Sequence, residues 1–349
     1  SLTAKACSMT SEILRLCEMT PNQSGDLFAV LASKEESQTK DGKPYYRVAF
    51  RDAKRKATSM IWSDHGHFPD CSENWKVGTF YKIRGKFTEN SYGPQLDIER
   101  IRPVEEADAE QGFSADDFFE TSRYDREEMF AELVGIAQEH ITEAPLQRLV
   151  VELLTERADF VKTHAAASRN HHAFMGGYLE HTLSVTRTAV FFAEKYSAYY
   201  TRMQPPLSKS LVVAGAILHD IGKAEELIFK PEGWEYTARG RLVGHIFIGR
   251  DIVLNKAATI PDIDPETVLR LEHIVISHQG IPEWGSPVPP STPEALLVHH
   301  ADDLDAKFHE LAAQLETDTP PETEFTDYRN PLRRRIFRGL QPGTSSDLT

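Results

Sequence analysis

The spacing of apolar residues changes period once along this chain, and that change limits the fold more than any other feature. Up to about residue 103 the apolar residues alternate, as in Tyr46, Val48 and Phe50 and again in Tyr81, Ile83 and Phe87. Alternation lines one face of a strand. From about residue 125 they recur at three and four, as in "PLQRLVVELLTERADFVKTH" and "LSKSLVVAGAILHDIG", which is the period of a helix face. A chain of 349 residues is long enough for two domains with a sizeable core. The expectation is a multi-domain α+β protein, a small β-barrel followed by an all-α domain.

Within residues 22–103, about five short strands are separated by the turn signals Asp41-Gly42 and Tyr92-Gly93-Pro94. Strands of that number and length suit an OB-fold barrel; any small barrel with a basic hairpin is the plainer alternative. Residues 1–21 are an N-terminal segment. Residues 104–124, in "VEEADAEQGFSADDFFETSRYDREEMF", read as an acidic, solvated linker. Residues 125–320 form the helical domain, with "EGWEYTARGRL" at 232–242 as a non-helical insert, and 321–349 form a tail. The tail carries a basic cluster, Arg333 to Arg335, that could pack on the helical domain or touch a polyanion.

The charge of −14 argues against a wholesale nucleic-acid binder, but it is unevenly spread. Residues 22–103 hold 14 Lys+Arg against 11 Asp+Glu, and residues 104–349 hold 23 against 40. The hairpin "KDGKPYYRVAFRDAKRK" has seven basic and two acidic residues. Such asymmetry points to a polyanion partner for the basic part. Cys7, Cys17 and Cys71 are widely spaced with no CxxC, which fits a reduced compartment. No apolar run reaches the ~18 residues of a membrane helix, and the first 19 residues do not read as a secretory signal. A soluble cytoplasmic protein with no membrane partner is expected; the sequence is compatible with a homo-oligomer and does not define one.

Eleven of the 14 histidines lie between residues 164 and 309. Several interrupt apolar helix faces: His181 in "GGYLEHTLSV", His219 after "VVAGAIL", His245 in "GHIFIG", His273 and His278 around "IVIS"; Asp302 follows "LLVHHA". A lone histidine on such a face is usually a satisfied core residue. Several on separate helices are costly to bury singly, and one metal would satisfy them together. Adjacent helix residues diverge by about 100°, so His219 and Asp220 can serve one ion only at a helix end, where "HDIGK" turns. The set His181, His219-Asp220 and Asp302, each on its own predicted helix, is the strongest signal in the chain.

These motifs resemble the HD superfamily of metal-dependent phosphohydrolases. The stretches "NHHAFMGGYLEHTLSV", "GAILHDIGK", "GHIFIG", "ISHQG", "EWGSPVPPSTPEALLVHHADDLDAK" and "DGKPYYRVAFRDA" resemble, more closely, YhaM-type 3'-5' exoribonucleases, which join an OB-fold to an HD domain. The resemblance covers residues 22 to 320. It implies that His181, His219, Asp220 and Asp302 are metal ligands, and that His245 and His278 hold a second metal or contact the scissile phosphate. Where such proteins commonly carry a second histidine after the one matching His278, this chain has Gln279, so the second ion is expected to be weak or substrate-dependent. His273 is the nearest substitute. Lys223 and His172 are expected phosphate contacts, and Asp220 bridges metals or orients water.

The chemistry implied is hydrolysis by metal-activated water; no cysteine lies near the motif and no GxSxG elbow occurs. His and carboxylate donors suit many divalent ions; Mn²⁺ is the expected one, with Co²⁺, Fe²⁺, Ni²⁺, Zn²⁺ and Mg²⁺ as alternatives. The barrel would hold single-stranded RNA or DNA through a positive groove and stacked aromatics. The expected contacts are Lys43, Tyr46, Arg47, Arg51, Trp62, Arg84 and Lys86, with Tyr45, Phe50, Tyr81 and Phe87 as further aromatic candidates, about half of them facing the core. Two other readings remain: a phosphohydrolase acting on nucleotides or cyclic dinucleotides, and a nucleic-acid-binding protein with an inactive HD site.

Overall fold

A computed structural model describes residues 13–119, 121–166, 174–230, 233–316 and 323–340. The main boundary between two compact units falls at residue 120, and Lys230 and Gly233 are grouped with the first. The first unit is built from β1 (Ile13–Leu14), β2 (Ser24–Gln38), β3 (Pro44–Arg51), β4 (Lys56–Trp62), α1 (Phe68–Glu73), β5 (Phe80–Asn90) and β6 (Gly93–Pro103). The strand order is β1-β2-β3-β4-β6-β5, and β2 also pairs with β5. That pairing closes β2 to β6 into a five-stranded barrel with its helix between the third and fourth strands, the OB arrangement.

Closure depends on β2. Its first half, Ser24 to Val30, pairs with β5, and its second half, Val30 to Gln38, pairs with β3. A register shift between Leu31 and Ser33 falls just past the crossover, and such a bulge bends a strand. A second shift falls between Arg84 and Gly85, where a Cβ on Gly85 would sit 2.6 Å from the Asp97 carbonyl oxygen. The alternation seen in the sequence fills the barrel: Val48, Phe50, Tyr81, Ile83 and Phe87 are buried together with Leu27, Leu31 and Leu96.

The segment expected to be a solvated linker is instead folded within the first unit. Phe113 packs on Phe28 and Phe80 at 5.2 and 5.4 Å, and Phe118 on Phe80 at 5.2 Å. Asp108 is buried and accepts two hydrogen bonds from Arg102, both at 2.7 Å. Its aromatic residues supply the apolar surface that packs, its buried carboxylate is paired, and Glu105, Glu106, Glu110 and Asp117 stay exposed.

The second unit contains α2 (Arg126–His140), α3 (Ala144–Glu156), α4 (Ala158–Thr163), α5 (Gly177–Tyr199), α6 (Lys209–Leu218), α7 (Lys223–Glu226), a hairpin of β7 (Leu227–Lys230) and β8 (Gly233–Tyr236), then α8 (Ala238–Val243), α9 (His245–Ala257), α10 (Pro265–Ser277) and α11 (Pro293–Leu315). The insert read as non-helical is a strand followed by a short helix, started where the Thr237 hydroxyl accepts from Gly240 N at 2.8 Å. Every residue of α6 from Ser210 to Leu218 is buried; a helix apolar on all sides belongs in a core. A Cβ on Gly215 would meet Ile274 Cγ2 at 2.6 Å, so α6 and α10 touch closely. Among the described residues no helix is long and apolar enough to cross a membrane.

Candidate metal centre

Helices α6 and α10 end the same way. His219 follows α6 and His278 follows α10, and each folds its Nδ1 back onto the carbonyl three residues earlier, Ala216 at 2.8 Å and Val275 at 2.7 Å. A carbonyl only accepts, so Nδ1 carries the proton and Nε2 presents its lone pair. His181 of α5 sets Nδ1 against Asp305 Oδ2 at 2.7 Å, and His245, which opens α9, sets Nδ1 against Glu226 Oε1 at 3.1 Å. Four imidazoles from four helices thus turn Nε2 toward one another.

Asp220 stands between them. Its Oδ2 lies 3.4 Å from His219 Nε2 and 3.7 Å from His181 Nε2, and Asp302 Oδ1 completes that group at 3.3 Å from His181 and 3.7 Å from His219. Its Oδ1 lies 3.4 Å from His245 Nε2 and 3.5 Å from His278 Nε2. Donors bound to one first-row ion at about 2.0–2.2 Å stand roughly 3–3.6 Å apart. The distances in the two groups, 3.3 to 3.7 Å, lie within or just above that range, and each group could hold a metal ion. The chemistry of the buried atoms agrees: Asp220 Oδ1 and His245 Nε2 are buried with no hydrogen-bond partner, a costly state that a cation would relieve.

The glycine of "HDIGK" has a local reason. A Cβ on Gly222 would sit 1.9 Å from the His245 carbonyl oxygen and 2.5 Å from Gly249 N. Only a bare Cα lets the start of α9 close on the corner after α6, which brings His245 to Asp220. Lys223 is buried and places Nζ 2.5 Å from Asp220 Oδ2. Burial disfavours its ammonium, but Asp220 outweighs that and raises its pKa. Burial alone would likewise raise Asp220, yet Lys223 and the histidines hold it well below the usual carboxylate range. Burial works against the His181 imidazolium too, and Asp302 and Asp305 override it, pushing His181 up to about 9. His278 goes the other way, lowered by burial.

Several expected residues sit differently. Lys223 points at Asp220 and is not presented at an open surface. Gln279 Nε2 lies 3.1 Å from His278 Nε2, where it donates to the lone pair an ion would use. His273 accepts from Ser291 N through Nε2 at 2.8 Å and belongs to neither group, so it does not stand in for Gln279. His172 lies outside the described residues. Asp305 and Glu226, which orient His181 and His245, were missed by sequence reasoning. Asp305 had a signal, one helical turn beyond Asp302 and therefore on its face.

In the barrel unit, Lys43 and Arg47 are exposed, and Lys86 is half-buried. Trp62 is 43% exposed and packs on Tyr45, its partner across β3 and β4, with ring centroids 4.8 Å apart. Tyr46 is a correction. It is buried, its hydroxyl 3.1 Å from Ser72 Oγ, because the pleat that turns the half-buried Tyr45 outward turns its neighbour inward. Phe50, Tyr81 and Phe87 are core residues for the same reason. Arg51 donates to the Phe118 carbonyl at 2.6 Å and stacks on Phe119, so its charge serves the chain's own packing. Arg84 is shared between Asp26 at 3.4 Å and Glu99 at 3.6 Å.

The HD domain family model matches residues 178–307, which contain both groups of ligands. The 3'-5' exoribonuclease YhaM of Bacillus subtilis (strain 168) is 32% identical over 316 residues, covering 89% of this chain and 93% of the relative. The chain belongs to the YhaM family of 3'-5' exoribonucleases. The YhaM protein of Listeria monocytogenes serotype 4b (strain CLIP80459) is 33% identical over 315 residues, with 88% and 93% coverage. The YhaM likeness therefore takes in both units. The second OB-fold domain of replication protein A from Methanococcus maripaludis aligns with 27% of this chain and 96% of its own, at 19% identity and TM-score 0.21; the OB assignment here rests on strand order and closure.

Proposed function

We propose that this YhaM-family chain hydrolyses single-stranded RNA from its 3' end by metal-activated water. The observation that carries the reading is the Asp220 carboxylate, whose two oxygens each face their own pair of imidazoles. His181, His219, Asp220 and Asp302 would hold one divalent ion, and Asp220, His245 and His278 a second. Bound there, such ions lower the pKa of water and polarise a phosphoryl oxygen. Asp305 and Glu226 fix the tautomers of His181 and His245, a support that ligand histidines usually need. Lys223 supplies positive charge beside the phosphate; His172 is proposed as a further phosphate contact.

The first position is the stronger, since Asp302 adds a second carboxylate to its donors. The second is weak or completed by substrate phosphate, because Gln279 must release His278 Nε2 before an ion can use it. Mn²⁺ is the proposed ion. In the barrel, Lys43, Arg47, Lys86 and the Tyr45–Trp62 pair bind the body of the strand by charge and stacking, with Arg84 as a partly neutralised contributor. The three widely spaced cysteines suit the cytoplasm. The test is end-labelled single-stranded RNA incubated with the protein and Mn²⁺. A ladder shortening by single nucleotides from the 3' end, absent with Asp220→Ala, is expected. Intact RNA alongside hydrolysed free nucleotides would overturn it.

A further inference from the structure

The loop after His278 carries a half-exposed indole. Pro282 to Trp284 form a single 3₁₀ turn, tied by Trp284 N to the Ile281 carbonyl at 3.1 Å and Gly285 N to the Pro282 carbonyl at 3.0 Å. The turn is anchored to the metal centre on both sides. Gln279 N donates to the Ser286 hydroxyl at 3.1 Å, and Ser286 is buried. A Cβ on Gly285 would lie 3.5 Å from Ile246 Cδ1, the neighbour of His245. Trp284 itself reaches α11, where Lys307 Nζ sits 5.3 Å from its ring centroid. Lys307 is two residues beyond Asp305 and five beyond Asp302, about 7.5 Å along the helix axis. Lys307 lies about 140° round α11 from Asp302, so the loop passes from beside His278 and the start of α9 to the flank of α11.

Trp284 is 50% exposed, a large apolar area to leave in water. One of its contacts is an ammonium, which lies over the ring and which Asp303 holds at 2.7 Å. A half-exposed indole on the loop that leads from His278, beside a candidate phosphodiester-cleaving centre, offers apolar ring surface that matches a nucleobase. The geometry points to Trp284 as the stacking platform for the 3'-terminal base of the strand. This rests on the exoribonuclease reading and adds to it the residue that seats the last nucleotide. The stack would be blind to base identity, since every base has a π-face.

The test pairs the protein ring with the substrate base. Two RNA oligonucleotides are compared, identical except that one is abasic at the 3'-terminal position. In the unaltered protein, loss of the base should raise KM by on the order of 5- to 150-fold. With Trp284→Ala the two substrates should have equal KM, and with Trp284→Phe the discrimination should return in part. Metal content should be unchanged in both variants. Equal weakening of both substrates by Trp284→Ala, or no discrimination in the unaltered protein, would overturn the assignment. Should no RNA be cut at all, the nuclease reading fails by itself. The same comparison made as equilibrium binding in chelator still decides the stack.

Discussion

Replacing Gly222 with alanine is the sharpest test of how the metal centre is assembled. The backbone at Gly222 is right-handed helical, φ −67° and ψ −18°. On backbone grounds alone alanine should stabilise such a position by about 0.4–1 kcal/mol. The surroundings reverse that sign. The new Cβ would stand 1.9 Å from the His245 carbonyl oxygen, and real Cβ atoms keep at least 3.0 Å, so α9 must retreat by about 1.1 Å at its first turn. The opposing atoms are backbone, so no side chain can rotate away. Forced repacking of this kind costs about 1–3 kcal/mol. His245 opens α9 and moves with it, whereas ligand distances tolerate only about 0.2 Å. The expected result is a lower Tm and loss of binding at the Asp220–His245–His278 group, with the His181–His219–Asp302 group still loading. Metal analysis under substrate-like phosphate, together with a melting curve, reads both. A variant that melts at or above the unaltered protein and binds two ions as tightly would refute the argument.

Three further outcomes are expected. Asp305→Asn keeps the shape but removes the charge behind His181, and metal affinity should fall about 10- to 100-fold; competition with a chelator measures it, and an unchanged constant would remove Asp305 from the site. His181 is raised to about 9 in the metal-free protein and must lose a proton to bind an ion, so apparent affinity should drop about tenfold per pH unit below that value and level off above it. Calorimetry at pH 7 in buffers of different ionisation enthalpy should show one proton released per first ion; none released would refute it. Trp62→Ala should weaken single-stranded RNA binding by about 1–3 kcal/mol and Arg47→Ala should flatten the salt slope by about 0.7, while Tyr46→Phe, altering a core hydroxyl, should leave RNA affinity alone in a filter-binding assay.

The sequence by itself determined the two-part architecture, because hydrophobic period is a local property and the switch from alternation to helical spacing needs no tertiary knowledge. It also determined the ligand candidates, since histidines and aspartates on apolar helix faces require a shared reason to be buried. Barrel closure was less legible. It depends on one bent strand, β2, pairing with both β3 and β5. Only the tertiary structure decided how the donors are grouped. Asp220 and the four histidines come from elements far apart in sequence, and the division into two sets around one carboxylate follows from which helix ends meet. The supporting carboxylates Glu226 and Asp305 were likewise hidden, as an acidic residue that orients an imidazole looks in sequence like any surface charge. The same holds in the barrel. Tyr45 and Tyr46 are chemically identical, and only the tertiary pairing of β3 with β4 leaves one half-buried beside Trp62 and turns the other into the core.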